Sequence, residues 1–325
     1  MNIIFLCRWL LVPAALFGLA ACASSPLKGS VEGPASYDLK MELTTGGFQR
    51  FYRVHIPTGY DEKNPLPLVV VIHGAFDNAK GMERFSGFSQ LADREGFIVL
   101  YPNGIGILGF LQHWNAGHCC GKAAADNIDD VGYLEAAIKD VAAQLAVDRQ
   151  RVYMVGFSNG GMLVHRFAAE KGNLLAAAAP LAASIGGRPA RDIPEWRIPD
   201  PVRPLPLMMV HGQADDDIPY GGGRSAHRGG ERTYWSVNES VRFWVKTNGC
   251  FGLPSERSHA QGGISIKTWK TCRDRATVSL VTIAKWGHVW PGPYFTADLP
   301  VDDPLYNFDA AEMIWQFFEQ YAAGL

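Results

Sequence analysis

Residues Arg151–Gly161 read R-V-Y-M-V-G-F-S-N-G-G, and no other stretch limits the possible folds of this chain so strongly. Val152–Val155 is a short apolar run of strand character. It leads directly into Gly156-Phe157-Ser158-Asn159-Gly160, and a helix-like run over Met162–Ala169 follows. A strand, a G-x-S-x-G turn and a helix in immediate succession make a sharp elbow that lifts the serine hydroxyl off the end of a sheet. That elbow exposes Ser158 as a nucleophile and directs the Asn159 backbone N–H at the space a substrate carbonyl would fill. A hydroxyl attacks a carbonyl only when a base removes its proton, so Ser158 needs a histidine and a carboxylate from elsewhere in the chain.

The surrounding pattern suits one sheet. Phe51–Ile56 looks like an opening strand, ended by Pro57, and apolar runs at Leu68–Ile72, Phe97–Tyr101, Ala176–Ala183, Leu205–Val210 and Val278–Ile283 are nearly continuous, as in parallel strands covered on both faces. Helical spacing falls between them. Over Ile128–Val147, Val131, Leu134, Ile138, Val141 and Leu145 share a face behind Asp129 or Asp130 as cap. A last helix opens at Asp309 and buries Met313, Ile314, Phe317 and Phe318. The 325 residues, 47% hydrophobic and 19% charged, are ordinary globular composition. We expect a single doubly wound, mostly parallel α/β domain over residues 37–325. Three long loops, Asn103–Asn127, Gly187–Leu205 and Tyr220–Thr233, are expected to build the site at the carboxyl ends of the strands.

In such a domain the partners of the serine follow it in the order acid, then histidine. His288 comes last, after the final strand, in Trp286-Gly287-His288-Val289-Trp290-Pro291-Gly292, and is the expected base. His165 sits inside the helix after the serine, His211 precedes the candidate acid, and His227 and His259 lie in other loops. The acid belongs to the segment after Leu205–Val210, where Asp215, Asp216 and Asp217 are adjacent and equally placed. Trp114, Trp286 and Trp290 are positioned for substrate contact. Gly104-Ile105-Gly106-Ile107-Leu108-Gly109 is a literal G-x-G-x-x-G, but no helix pattern opens at its glycines, which a dinucleotide site requires. His113, His118, Cys119 and Cys120 do not have zinc-ligand spacing, so no metal and no cofactor are expected.

Taken together, G-F-S-N-G-G, the segment His211–Pro219 and G-H-x-W-P-G resemble the esterase family that contains polyhydroxybutyrate depolymerases and feruloyl or acetylxylan esterases. His73-Gly74, Trp114–Gly117 with Cys119-Cys120-Gly121, and Asp129–Gly132 extend the resemblance across about residues 50–295. It implies an α/β-hydrolase fold and a serine carboxylesterase in which Ser158 is nucleophile, Asp215 acid and His288 base. The oxyanion would rest on the Asn159 N–H and on a backbone amide of Ala75 or Phe76. The implied partner is an ester, either a hydroxybutyrate oligomer or a feruloyl or acetyl ester on polysaccharide. A peptidase or thioesterase on the same scaffold, or a non-catalytic ligand-binding lipoprotein, are the competing readings.

The N-terminus is read separately. Leu10–Ala21 is an apolar run too short to span a bilayer and suits a signal segment over residues 1–21. Its end, Leu19-Ala20-Ala21-Cys22, resembles a bacterial lipobox. That would make Cys22 the lipidated first residue, residues 22–36 a tether, and the protein an exported, membrane-anchored lipoprotein. A cleaved signal with an incidental cysteine also means export. Outside the cytosol, Cys250 and Cys272 are expected to bridge, while Cys119 and Cys120 form either a vicinal bridge or two thiols. The net charge of −2, with no basic run, argues against nucleic-acid partners.

Overall fold

A computed structural model describes residues 35–107, 110–227, 231–259 and 263–322. The expected signal segment, Cys22 and nearly all of the tether lie outside the described residues. Ten strands form one sheet: β1 Tyr37–Thr45, β2 Phe48–Ile56, β3 Leu66–Ile72, β4 Ile98–Pro102, β5 Val147–Phe157, β6 Ala177–Leu181, β7 Leu207–Gly212, β8 Ser255–His259, β9 Ile264–Trp269 and β10 Val278–Ile283. Their spatial order is β1-β2-β4-β3-β5-β6-β7-β10-β9-β8. The six strands from β4 to β10 run parallel, and the pairs at either edge run antiparallel. The chain steps outward from β3 to β4 and returns to β5 on the other side of β3. This reversal opens a crevice at the carboxyl ends of β3 and β5, where α/β sheets place their ligands.

The alternation of side chains along β3 divides the core in two. Leu68, Val70 and Ile72 face the side covered by α3 (Asp130–Gln144), α4 (Asn159–Lys171) and α5 (Val237–Thr247). Val69 and Val71 face the side covered by α1 (Ala79–Ser86), α2 (Phe88–Glu95) and α6 (Ala310–Phe318). All five side chains are fully buried, which is why the run carries no polar alternation.

Where the elements differ from expectation, burial or capping explains it. The helix expected over Ile128–Val147 is shorter, because Leu145 adopts an extended conformation and Val147 already begins β5. Asp129 is its cap and accepts from the Gly132 N–H at 2.8 Å, whereas Asp130 turns inward to Arg50. Strand β1 has no fully buried residue and β8 is exposed throughout, so neither produces an apolar run. In α6, Met313 is only partly buried and Trp315 takes a core position instead.

The long loops are structured. Asn103–Asn127 contains a hairpin, Ile105–Ile107 against Phe110–His113, and the short helix Gly121–Ala125. The G-x-G stretch therefore begins a hairpin and does not open a helix. The other two loops exchange short strands, Gly186–Arg188, Trp196–Arg197, Gly223–Arg224 and Thr233–Tyr234, in a second small sheet. Among the described residues no helix is long and apolar enough to cross a membrane.

Candidate active site

Strand β5 ends at Phe157 and α4 begins at Asn159, so Ser158 is the whole of the turn. Its φ of 56° and ψ of −123° lie where a side chain is rarely tolerated. The turn closes only because its flanks lack side chains. A Cβ on Gly156 would come within 2.7 Å of the Gly160 backbone, and one on Gly160 would run into the carbonyl oxygens of Ile72 and His73. The Ser158 N–H donates to the Leu181 carbonyl at 2.9 Å, tying the elbow to β6.

At the end of β10 the chain turns His288 toward this serine. The Ser158 Oγ–H donates to His288 Nε2 at 2.8 Å, and His288 Nδ1–H donates to Asp215 Oδ2 at 2.8 Å. Of the three adjacent aspartates only Asp215 is buried, while Asp216 is exposed and Asp217 half-buried. Asp215 Oδ1 accepts from the Asp217 and Ile218 N–H groups at 3.0 and 2.8 Å. Those two bonds turn the carboxylate inward and decide among the three. Burial by itself pushes the Asp215 carboxyl up. Hydrogen bonds from His211 and His288, with the electrostatic attraction of the same two rings, outweigh that and hold it well below the usual carboxylate range.

His211 proves to be a neighbour of the acid. Its Nε2–H donates to the Ile218 carbonyl at 2.8 Å and lies 3.3 Å from Asp215 Oδ2. Phe157 tilts against the His288 ring with centroids 5.0 Å apart, and Trp290 packs edge-on behind Phe157. Neither support carries a local signal, since both depend on where β5 and β10 lie in the sheet.

A cavity of about 380 Å³ opens over Ser158, walled by Ala75, Phe76, Met162, Ile218, Tyr234 and the Cys119–Cys120 pair among others. The Phe76 N–H donates to the Gln112 carbonyl at 2.8 Å and is committed there. Ala75, the other expected loop donor, lines the same cavity as Ser158. Asn159 also acts through its side chain: Oδ1 accepts from the Trp114 N–H at 2.8 Å and Nδ2 donates to the Trp114 carbonyl at 3.1 Å. This clamp holds the loop Asn103–Asn127 over the elbow.

The expected substrate contacts of Trp114 and Trp290 need correction. Both are essentially fully buried and neither lines the cavity. Trp114 donates from Nε1 to the His73 carbonyl at 2.9 Å and stacks on Tyr133, so it supports the cavity wall from behind. Trp286, half-buried, donates to the Val289 carbonyl at 2.8 Å and likewise does not line the cavity. His73 is buried and neutral: Nδ1–H donates to the Gly74 carbonyl and Nε2 accepts from the Gly104 N–H. Burial drops it to about 4. Sulfurs are paired in both couples, Cys119 with Cys120 across a cis peptide and Cys250 with Cys272. Among the described residues Asp38, His55 and Glu83 bring ligand atoms within 4.8 Å of one another. They are engaged with other side chains, His55 in a hydrogen bond with Asp38 and Glu83 in an ion pair with Arg53.

A parallel sheet of this order, with a serine at the strand-to-helix turn and an imidazole and carboxylate hydrogen-bonded in series, defines an α/β-hydrolase. Residues 51–190 match the family described as esterase PHB depolymerase. Over 268 residues the chain is 30% identical to the candidate esterase NocK of Nocardia uniformis, covering 78% of this chain and 74% of that protein. Feruloyl esterase B of Piromyces equi is 30% identical over 72% of this chain, which spans only 42% of that longer protein. The chain belongs to the polyhydroxybutyrate depolymerase and feruloyl esterase family of α/β-hydrolases. Among solved structures, an acetyl xylan esterase from Aspergillus awamori superposes with a TM-score of 0.57 at 14% identity, covering 86% of this chain and 99% of that one. A feruloyl esterase module from Clostridium thermocellum gives 0.51 at 13% identity, covering 85% and 89%. These two likenesses concern the fold.

Proposed function

We propose that the protein is a serine carboxylesterase acting through Ser158, His288 and Asp215. The observation that carries the proposal is the pair of 2.8 Å hydrogen bonds joining the three in series. His288 Nε2 takes the Ser158 proton as Oγ attacks the ester carbonyl. The Asn159 and Ala75 N–H groups hold the oxyanion, a donor of this kind being worth about 10²–10³ in rate. His288 then protonates the departing alkoxide and an acyl-enzyme remains. A water molecule, deprotonated by the same imidazole, releases the acid and restores Ser158. Asp215, kept ionised, fixes the tautomer and stabilises the imidazolium.

For substrate we propose an oligomeric or polymer-linked ester, either a feruloyl or acetyl ester on polysaccharide or a hydroxyalkanoate oligomer. The family and the feruloyl esterase relatives support the class. The mostly apolar cavity is suited to it, and among the described residues none that lines it provides the carboxylate with which an aminopeptidase holds a free amine. The sequence at Leu19–Cys22 supports export and lipid attachment through Cys22.

Hydrolysis of p-nitrophenyl butyrate, methyl ferulate and a hydroxybutyrate trimer should be compared in the wild type and in Ser158→Ala. Turnover lost in the alanine variant is the expected result, and the ranking of esters names the substrate. Equal activity in both proteins would remove Ser158 from the mechanism. Loss of lipid labelling in Cys22→Ala tests the anchor.

A further inference from the structure

Arg232 is the unmatched charge in this molecule's cavity. It reaches the cavity wall because the short strand Thr233–Tyr234 is locked between Gly186–Arg188 and Gly223–Arg224. Among the described residues two cations line the cavity, Lys122 and Arg232, and no aspartate or glutamate does. Lys122 is paired with Asp126. Arg232 forms no ion pair among the described residues. The carboxylate beside it in sequence, Glu231, is already held by Arg191 and Arg224.

The guanidinium is half-buried, yet its one hydrogen-bond contact is weak, Nη1 at 3.5 Å from the Cys119 sulfur. Its Nε is buried without a partner. The neighbouring imidazole offers no relief. His118 is 1% exposed, and burial together with the Arg232 charge drops it to about 3. A planar fork of N–H donors, held at a cavity wall without an anion, matches a carboxylate in geometry and charge.

Building on the esterase reading of Ser158, we propose that Arg232 is a specificity residue and that the preferred substrate is an ester carrying a carboxylate close to its scissile bond. The free-acid end of a hydroxyalkanoate oligomer has this chemistry, and so does a uronate on an esterified polysaccharide. The apolar remainder of the wall, including Leu111, Met162 and Ile218, accommodates the aliphatic or aromatic portion. Binding the carboxylate satisfies the guanidinium and anchors the ester across Ser158.

The test compares a hydroxybutyrate trimer as free acid and as its methyl ester, and an acetylated xylo-oligosaccharide with and without a uronate. Each is assayed with wild type, Arg232→Gln and Arg232→Lys. Loss of a charge-assisted bidentate contact should raise KM for the carboxylate-bearing member of a pair about 10- to 100-fold in Arg232→Gln. The uncharged member should change far less, and Arg232→Lys should recover part of the difference. The pair that discriminates identifies the source of the carboxylate. Calorimetric binding of the same ligands to Ser158→Ala separates recognition from turnover. Carboxylate-dependent binding that Arg232→Gln abolishes supports the proposal even if the esters are not hydrolysed, a result that would count against the esterase reading alone. Equal effects of Arg232→Gln on charged and uncharged members, or a wild type indifferent to the carboxylate, would overturn it.

Discussion

Three histidines packed into the interior should make this protein lose stability steeply on mild acidification. His73, His118 and His165 are buried, and burial lowers them to about 4, about 3 and about 3 respectively. An unfolded histidine titrates near 6.5. As pH falls below that value the unfolded chain takes up protons that the folded chain refuses, so the equilibrium moves toward unfolding. Above about pH 6.5 the three contribute no pH dependence. At pH 5 each group lies about 1.5 pH units below its unfolded value, which amounts to ~2 kcal/mol apiece and ~6 kcal/mol together. A domain is typically stable by only 5–15 kcal/mol, so this loss is a large fraction of the whole. The melting temperature should fall by about 10 °C or more between pH 7 and pH 5. Urea titrations at half-unit pH steps measure the slope directly. The depressed Asp215 carboxyl acts below the ordinary carboxylate value near 3.9, outside the range from pH 7 to pH 5. His165→Gln keeps an acceptor for the Trp244 Nε1–H, which now reaches His165 Nδ1 at 3.0 Å, while removing one titrating group. It should shrink the loss at pH 5 by about 2 kcal/mol. A midpoint unchanged from pH 7 to 5, or a slope unaltered in His165→Gln, would refute the reasoning.

Asp215→Asn should lower kcat by about 10³- to 10⁴-fold because the amide cannot hold the imidazolium. Its stability deficit should be constant above the ordinary carboxylate range and vanish as pH falls through the depressed folded value, as read from melts of both proteins. Asn159→Ala leaves the Trp114 N–H buried without its partner, while the Trp114 carbonyl keeps the Cys120 N–H at 2.9 Å, and should destabilise by about 1–3 kcal/mol. Because the clamp over the elbow opens with it, kcat/KM should fall too, and unchanged kinetics would show the loop is held by other contacts. Arg50 and Asp130 form an ion pair at 2.8 Å, 2% and 0% exposed, whose carboxylate also accepts from the Asn115 N–H. Arg50→Met should cost about 3–5 kcal/mol in a urea melt, with much of it recovered in the double variant Arg50→Met, Asp130→Leu.

What could be read from the residues alone was whatever local geometry enforces. Gly156 and Gly160 permit one elbow and no bulkier residue fits, so the position of Ser158 was visible in eleven residues. His288 was legible because a glycine-flanked histidine follows the last apolar strand, and the parallel core because Leu68–Ile72 and Val278–Ile283 lack any polar alternation. The choice of Asp215 over its neighbours depended on the Asp217 and Ile218 amides, and three identical side chains in a row carry no information about which one turns inward. The Phe76 amide is committed to the carbonyl of Gln112, a residue on a hairpin that sequence periodicity does not announce. Trp114 and Trp290 belong to the buried core, and Arg232 belongs to the cavity lining, for a common reason. A side chain on a loop points where distant packing sends it, and the energies that decide this come from residues tens to hundreds of positions away.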